Sequence, residues 1–126
     1  MLKVRTYLDK SNIEGLGLFA AQDIPKGTVT WEFNPTIDKE LNEFIANRIE
    51  FEFIEKYAFN NKQLEKWLLS SDNDRFTNHS ENPNTGPLPD GKKIALRDIK
   101  KGEEITANYY DIDYDWPIKL VKPNQN

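Results

Sequence analysis

Three segments carry residue types whose spacing could do chemistry. The first is Gly15-Leu16-Gly17-Leu18-Phe19-Ala20. It fits a dinucleotide-binding fingerprint with Ala in the third small position, but that fingerprint needs a strand before it and a long helix after it. Pro25 arrives too soon for such a helix. The glycines either make a hairpin turn or let backbone approach a ligand closely. The second segment runs Arg75-Phe76-Thr77-Asn78-His79-Ser80-Glu81-Asn82-Pro83-Asn84 and holds the chain's single histidine. A dyad between neighbours His79 and Ser80 is disfavoured, because adjacent side chains of an extended loop rarely face each other, and no Gly-x-Ser-x-Gly elbow exists. His79 is either satisfied by local backbone groups or joins Asn78 in offering donors and acceptors suited to an adenine-like edge. The third segment is Gly102-Glu103-Glu104-Ile105-Thr106-Ala107-Asn108-Tyr109-Tyr110, which reads as a strand with aromatic side chains for the core. No Gly-x-x-x-x-Gly-Lys-Ser/Thr phosphate loop occurs.

The chain that must position these segments has 126 residues, the size of one domain. Its charged fraction is 30% and its hydrophobic fraction 37%, polar for a folded protein. An aromatic content of 12% compensates, because each aromatic ring buries a large area. The absence of cysteine excludes disulfides, thiol nucleophiles and Cys-based zinc sites. One histidine cannot build a His cluster, so no metal is expected. A net charge of −4 argues against a general nucleic-acid binder, which carries a basic face, and is compatible with a cationic partner. Met1 to Tyr7 contains no long apolar run, so no signal peptide is expected. No stretch approaches the roughly 20 apolar residues of a membrane span, and a cytoplasmic or nuclear location is the expectation.

Element by element, Leu2 to Leu8 and Thr28 to Phe33 read as strands. Leu41, Phe44, Ile45 and Ile49 fall at helical spacing. A helix is therefore predicted from about Asp38 to about Tyr57, with Thr36 or Asp38 as N-cap. Asn60-Asn61-Lys62 reads as a turn and Lys66 to Ser70 as a short strand. Ser71 to Gly91, dense in Asn, Asp, Pro and Gly, reads as a long loop, and long loops in compact domains are usually functional. Lys93 to Leu96 and Glu104 to Tyr109 are the last predicted strands, before an acidic and aromatic stretch from Asp111 to Trp116. Asp23-Ile24-Pro25-Lys26-Gly27 echoes Asp98-Ile99-Lys100-Lys101-Gly102. The echo is either two similar turns or a structural pairing.

Taken in order, the three segments resemble the SET-domain family of protein-lysine methyltransferases. Gly15-Leu16-Gly17 with Phe19-Ala20 is similar to its first motif, and Asp23 to Gly27 to the turn that follows. Arg75-Phe76-Thr77-Asn78-His79-Ser80, ending Asn82-Pro83-Asn84, matches its Arg-Phe-x-Asn-His-Ser-x-x-Pro-Asn signature. Gly102-Glu103-Glu104-Ile105-Thr106 with Tyr109 matches Gly-Glu-Glu-Leu-Thr-x-x-Tyr. The resemblance implies a single SET domain over residues 1–126, with its core at about 1–110 and a C-terminal aromatic tail from about 111. The implied fold is mainly β with a short helical insert: the β-clip-like SET fold, in which Asp74 to Ser80 and Ile105 to Tyr109 thread into a pseudoknot.

The resemblance also implies S-adenosylmethionine as cofactor and the ε-amine of a protein lysine as methyl acceptor, on a histone-like or other basic protein. The cofactor carries the hard chemistry and the protein supplies orientation and electrostatics. By resemblance, the backbone at Gly15, Leu16 and Gly17 meets the cofactor's methionine end, and Asn78 and His79 hold its amino and adenine groups. Arg75 and Phe76 are structural, Phe76 with the option of facing the adenosine. Tyr109 is the catalytic residue and also touches the cofactor. It holds amine and methyl in near-attack geometry rather than acting as general base.

Two departures from the family concern cysteine. Glu81 stands where Cys often follows Asn-His-Ser, and the zinc-binding cysteine module that follows many family domains has no counterpart. Tyr110, Tyr114 and Trp116 are the candidates to wall the lysine channel in its place, with Tyr57 after the helical insert as a further one; the alternative is that the tail aromatics cover the end of the core. The chain resembles compact stand-alone members of viral or bacterial kind, in which a homodimer could contribute to substrate recognition. No direct nucleic-acid or membrane partner is implied. The rival reading is a catalytically inactive SET-fold module that binds a peptide, S-adenosylmethionine or both.

Overall fold

The structure, a computed structural model, describes residues 1–41 and 48–113, with backbone alone for 48–51. It contains ten short strands and two helices: β1 (Thr6–Lys10), β2 (Leu16–Ala20), β3 (Val29–Trp31), β4 (Lys39–Glu40), α1 (Arg48–Tyr57), β5 (Phe59–Asn61), β6 (Lys66–Leu69), β7 (Asn78–His79), β8 (Thr85–Pro87), β9 (Lys93–Ala95), β10 (Glu104–Ala107) and α2 (Tyr109–Ile112). A 3-10 helix, Asn73–Phe76, precedes β7. The strands form three small sheets, ordered β1-β2-β10-β7, β3-β9-β8 and β4-β6-β5. No helix among the described residues is long and apolar enough to cross a membrane.

The first sheet begins with a hairpin. Thr6 pairs with Ala20 and Lys10 with Leu16, and the turn between them closes through the Ser11 N–H on the Gly15 carbonyl at 2.8 Å. Gly15 has φ +46°, in the left-handed region that L side chains disfavour. Alternation along β2 sends Leu18 and Ala20 inward, where they meet Ile24, Ala95, Ile99 and Ile105 in the main core, with Leu2, Val4 and Leu8 packed against it. β10 lies antiparallel to β2 and parallel to β7, with Thr106 opposite Asn78 and Ala107 opposite His79. The second and third sequence segments therefore run side by side, the juxtaposition expected of the pseudoknot.

The repeated turns are a structural pairing. Ile24 and Ile99 exchange both backbone hydrogen bonds, at 2.7 and 2.8 Å. Asp98 accepts from the Lys26 N–H at 2.8 Å and Asp23 from the Lys101 N–H at 2.9 Å. Each turn thus caps the other, and the two isoleucines close the floor of the core.

Four sequence expectations are corrected here. Ser71 to Gly91 is not a plain loop: it contains the 3-10 helix, β7 and β8. Side chains substitute for backbone pairing at this point, since the buried Asn84 donates to the Glu104 carbonyl and accepts from the Thr106 N–H, both at 2.8 Å. The helix predicted from Asp38 is found only as α1, from Arg48; residues 42–47 lie outside those described. Asp38 is no helix cap, because its buried carboxylate accepts from the Asn34 N–H and pairs with the Met1 amine, and Lys39–Glu40 joins β6 instead. Asn60 and Asn61 belong to β5, and the turn begins one residue further on, where Asn61 Oδ1 accepts from the Leu64 N–H at 2.8 Å. The last strand stops at Ala107. Asn108 caps the Tyr110 N–H, an Asx cap of the kind that starts helices, so Tyr109 and Tyr110 open α2 and do not occupy opposite faces of a strand.

Candidate functional site

The parallel contact of β7 with β10 brings the second and third segments together at Tyr109. The His79 Nδ1 accepts from the Tyr109 N–H at 3.0 Å, which fixes the ring as the Nδ1-acceptor form. The His79 and Tyr109 rings lie 5.2 Å apart. The Tyr109 hydroxyl donates to the Thr77 carbonyl. The backbone and side chain of Tyr109 are thus held by two positions, His79 of β7 and Thr77 just before it.

Two cavities adjoin this tyrosine. The larger, about 390 Å³, is bounded by Glu14, Gly15, Leu16, Phe76 and Asn78. The smaller, about 60 Å³, is bounded by Ala58, Phe59, Thr77, Ile112, Asp113 and the Asp74–Lys93 pair. Lys56, Tyr57, Arg75 and Tyr109 line both and form their common wall. Phe76 packs edge-on to Tyr57 at 5.7 Å, and the Arg75 guanidinium lies 4.7 Å from the Phe76 ring centre. A wide cleft with aromatic and cationic walls beside a narrow one suits two reactants of different shape.

Of the residues singled out in the sequence, Gly15, Leu16, Asn78, Tyr57 and Tyr109 share the larger cavity. Gly17 and His79 do not line it. Gly17 has no room for a side chain, since a Cβ there would fall 2.5 Å from Glu104 Oε2. Tyr110 is half exposed and packs on His79 at 6.1 Å, on neither cavity wall. Tyr114 and Trp116 lie outside the described residues. Arg75, assigned a structural part from sequence, and Phe76, assigned a structural part with the option of facing the adenosine, both line the cavity. Lys56, Glu14, Ser11 and Glu104 were not singled out for the site. Of these, Glu104 lies in the Gly102-Glu103-Glu104 segment and Glu14 directly precedes Gly15, and those positions were the signals available.

A zwitterionic, adenosine-bearing cofactor fits these walls. The Nε of Arg75 is buried and has no hydrogen-bond partner among the described residues, an unsatisfied cationic donor suited to a carboxylate. Phe76 and Tyr57 supply aromatic surface for a base, and the half-buried Asn78 supplies polar contact.

Burial pushes the Tyr109 phenol up to about 12, with the carboxylates of Asp74, Glu14, Asp113 and Glu104 acting in the same direction. The hydroxyl is therefore a neutral donor at ordinary pH and not a general base. The proton is held more tightly in the folded chain than near its ordinary value of 10.0. Stability from this group is accordingly intact below about pH 10 and falls as pH rises towards 12. Denaturant midpoints measured across this alkaline range are expected to decline less steeply in Tyr109→Phe than in the parent. Parallel declines would contradict the burial of the phenol.

Comparison with known proteins gives the following. A family model described as SET domain matches residues 15–110. The chain is 35% identical over 127 residues to the human protein Histone-lysine N-methyltransferase 2D, covering 90% of this chain and 2% of that protein. It is 34% identical over 118 residues to Histone-lysine N-methyltransferase trr of Drosophila melanogaster, covering 85% of this chain and 5% of that one. The chain thus spans a small part of the curated relatives it matches. Among solved structures, it superposes on a chain of ctPRC2 in an autoinhibited conformation bound to S-adenosylmethionine, with TM-score 0.59 and 26% identity over 90% of this chain and 16% of that one. It also superposes on a chain of an active polycomb repressive complex 2 in the basal state, with TM-score 0.57 and 29% identity over 86% and 15%.

Proposed function

This chain belongs to the SET-domain family, and from that premise we propose that it transfers a methyl group from S-adenosylmethionine to the ε-amine of a protein lysine. The observation that carries the reading is the placement of Tyr109 on the common wall of a wide cleft and a narrow cavity. When bound, the cofactor supplies an electrophilic sulfonium methyl; transfer to a neutral amine leaves the thioether, and the amine loses a proton. The wide cleft takes the cofactor against Gly15, Leu16, Phe76 and Asn78, with Arg75 towards its carboxylate. His79 serves by fixing the backbone of Tyr109.

The narrow cavity takes the alkyl chain of the lysine. Tyr57, Phe59 and Ile112 give it apolar walls, which favour the neutral amine by desolvation. Tyr109, neutral and oriented by Thr77, positions the amine and the methyl for in-line attack. The substrate is a protein with an exposed lysine in a basic setting, histone-like or otherwise, and the location follows that substrate, in the cytoplasm or the nucleus. A homodimer is one way to complete the peptide groove.

The test pairs binding with turnover. Calorimetry with a chelator present is expected to show S-adenosylmethionine binding without metal, and thermal stability should rise with ligand by mass action. A labelled-methyl screen against histones and other basic proteins should then label lysine. A folded chain that binds no cofactor at millimolar concentration sinks the reading; one that binds it but labels nothing supports the inactive module instead.

A further inference from the structure

Behind the larger cavity, Glu104 of β10 reaches into the hairpin turn. Ser11 Oγ lies 2.7 and 2.9 Å from the two Glu104 oxygens. A hydroxyl has one proton, and here it goes to that carboxylate. Towards its other neighbours Ser11 Oγ is an acceptor: the Ile13 N–H donates to it at 2.9 Å and Asn78 Nδ2 at 3.1 Å. Asn78 Nδ2 also lies 2.9 Å from Glu104 Oε2 and within 3.2 Å of the Glu14 and Leu16 carbonyls. Four acceptors surround one end of this amide. An oxygen placed there would meet only lone pairs, so the orientation of the amide is dictated by its surroundings.

Gly17 makes the arrangement possible. The Glu104 carboxylate occupies the space that a Cβ at position 17 would fill, with Oε2 at 2.5 Å and Cδ at 2.8 Å. The opposite end of the Asn78 amide, Oδ1, accepts no hydrogen bond from the described residues, and Asn78 lines the cavity.

We infer that Glu104 is a positioning residue: its carboxylate, relayed by Ser11 and accommodated by Gly17, locks the Asn78 amide so that Oδ1 is presented as an acceptor for an N–H group of the cofactor. The inference rests on the proposed cofactor and extends it to a residue that does not line the cavity. Two groups of S-adenosylmethionine share the required chemistry, the α-ammonium and the adenine amino group. Glu104→Gln keeps the shape but removes the charge and one of the acceptors, so the hold on the Asn78 amide weakens and Oδ1 is presented to the cavity less firmly.

Calorimetry on the parent and on Glu104→Gln tests this with three ligands: S-adenosylmethionine, its analogue lacking the α-amino group, and its analogue lacking the adenine amino group. S-adenosylmethionine is expected to bind the variant about tenfold to hundredfold more weakly. One of the two analogues, the one missing the contacted group, should bind parent and variant alike. Gly17→Ala, which displaces the same carboxylate, should repeat the pattern. Independently of any ligand, the Asn78 side-chain amide protons should be well resolved and slowly exchanging by NMR in the parent and lose that protection in Glu104→Gln. Equal weakening of all three ligands overturns the inference, since that is what general loosening does. So does unchanged affinity, or unchanged Asn78 amide signals. A parent that binds no cofactor refutes the functional reading instead, and the NMR comparison still decides whether the lock exists.

Discussion

Replacing Tyr109 by Phe is expected to lower methyl turnover by on the order of 10²–10³, the usual cost of losing one oriented hydrogen-bonding group at a reaction centre. The ring stays, so its packing on His79 at 5.2 Å and the bond from its backbone N–H to His79 are preserved. The hydroxyl bond to the Thr77 carbonyl is lost. Cofactor affinity, set mainly by Gly15, Leu16, Arg75, Phe76 and Asn78, should change little, so the loss falls on kcat at saturating cofactor. Tyr110→Phe is the internal control. That side chain is half exposed in the first turn of α2 and lines neither cavity, so the variant should turn over near the parental rate. Side-by-side single-turnover rates decide the point. A dead Tyr110→Phe with an active Tyr109→Phe would move the catalytic role to the neighbour, and two active variants would remove it from both.

What was legible in the sequence was short-range. The glycine, Arg-Phe-x-Asn-His-Ser and Gly-Glu-Glu segments each place their residues within a few positions of one another, and four of the named residues, Gly15, Leu16, Asn78 and Tyr109, do meet at one cavity. Tyr57 joins them from the end of α1, where the sequence offered only proximity to the insert. What was not legible depends on partners far along the chain. Ser11 and Glu104 are 93 residues apart and Asn78 and Glu104 are 26 apart, and nothing in the local pattern ties them together.

Three of the strands that escaped sequence reading failed for a related reason. β5, β7 and β8 are two or three residues long and built from Phe-Asn-Asn, Asn-His and Thr-Gly-Pro, compositions that read as turns. They become strands because neighbours supply the ladder: β5 pairs with β6, β7 with β10 and β8 with β9. Tertiary context overrode local preference. Asn108 shows the opposite case. Its capping chemistry was visible in the sequence, but the β-formers Ile105 and Thr106 led the strand on to Tyr109, two residues past its end.

The second large effect belongs to a buried ion pair beside the narrow cavity. Asp74→Asn is expected to destabilise the fold by about 3–5 kcal/mol, the usual consequence of leaving one buried charge without its partner. Asp74 and Lys93 side chains are each only 6% exposed. Lys93 Nζ lies 3.3 Å from both Asp74 oxygens and 5.0 Å from the Trp31 ring centre. Ser70 Oγ also donates to Asp74, at 3.0 Å, so the carboxylate is satisfied from several sides. The pair ties the 3-10 helix to β9, and Thr77, whose N–H donates to the Asp74 carbonyl at 2.9 Å, carries that attachment to the bond with Tyr109. Asparagine keeps the volume and the Ser70 contact but leaves the Lys93 ammonium without its counter-charge. The loss is a large share of the roughly 5–15 kcal/mol that stabilises a domain, and chemical denaturation should show a much lower midpoint at unchanged slope. Combining Asp74→Asn with Lys93→Met removes both charges and should recover most of the stability, because a buried pair contributes little net energy over apolar replacements. A single variant as stable as the parent would show that the ammonium reaches water or another carboxylate. A double variant as unstable as the single one would show that Asp74 matters through shape and hydrogen bonding rather than charge.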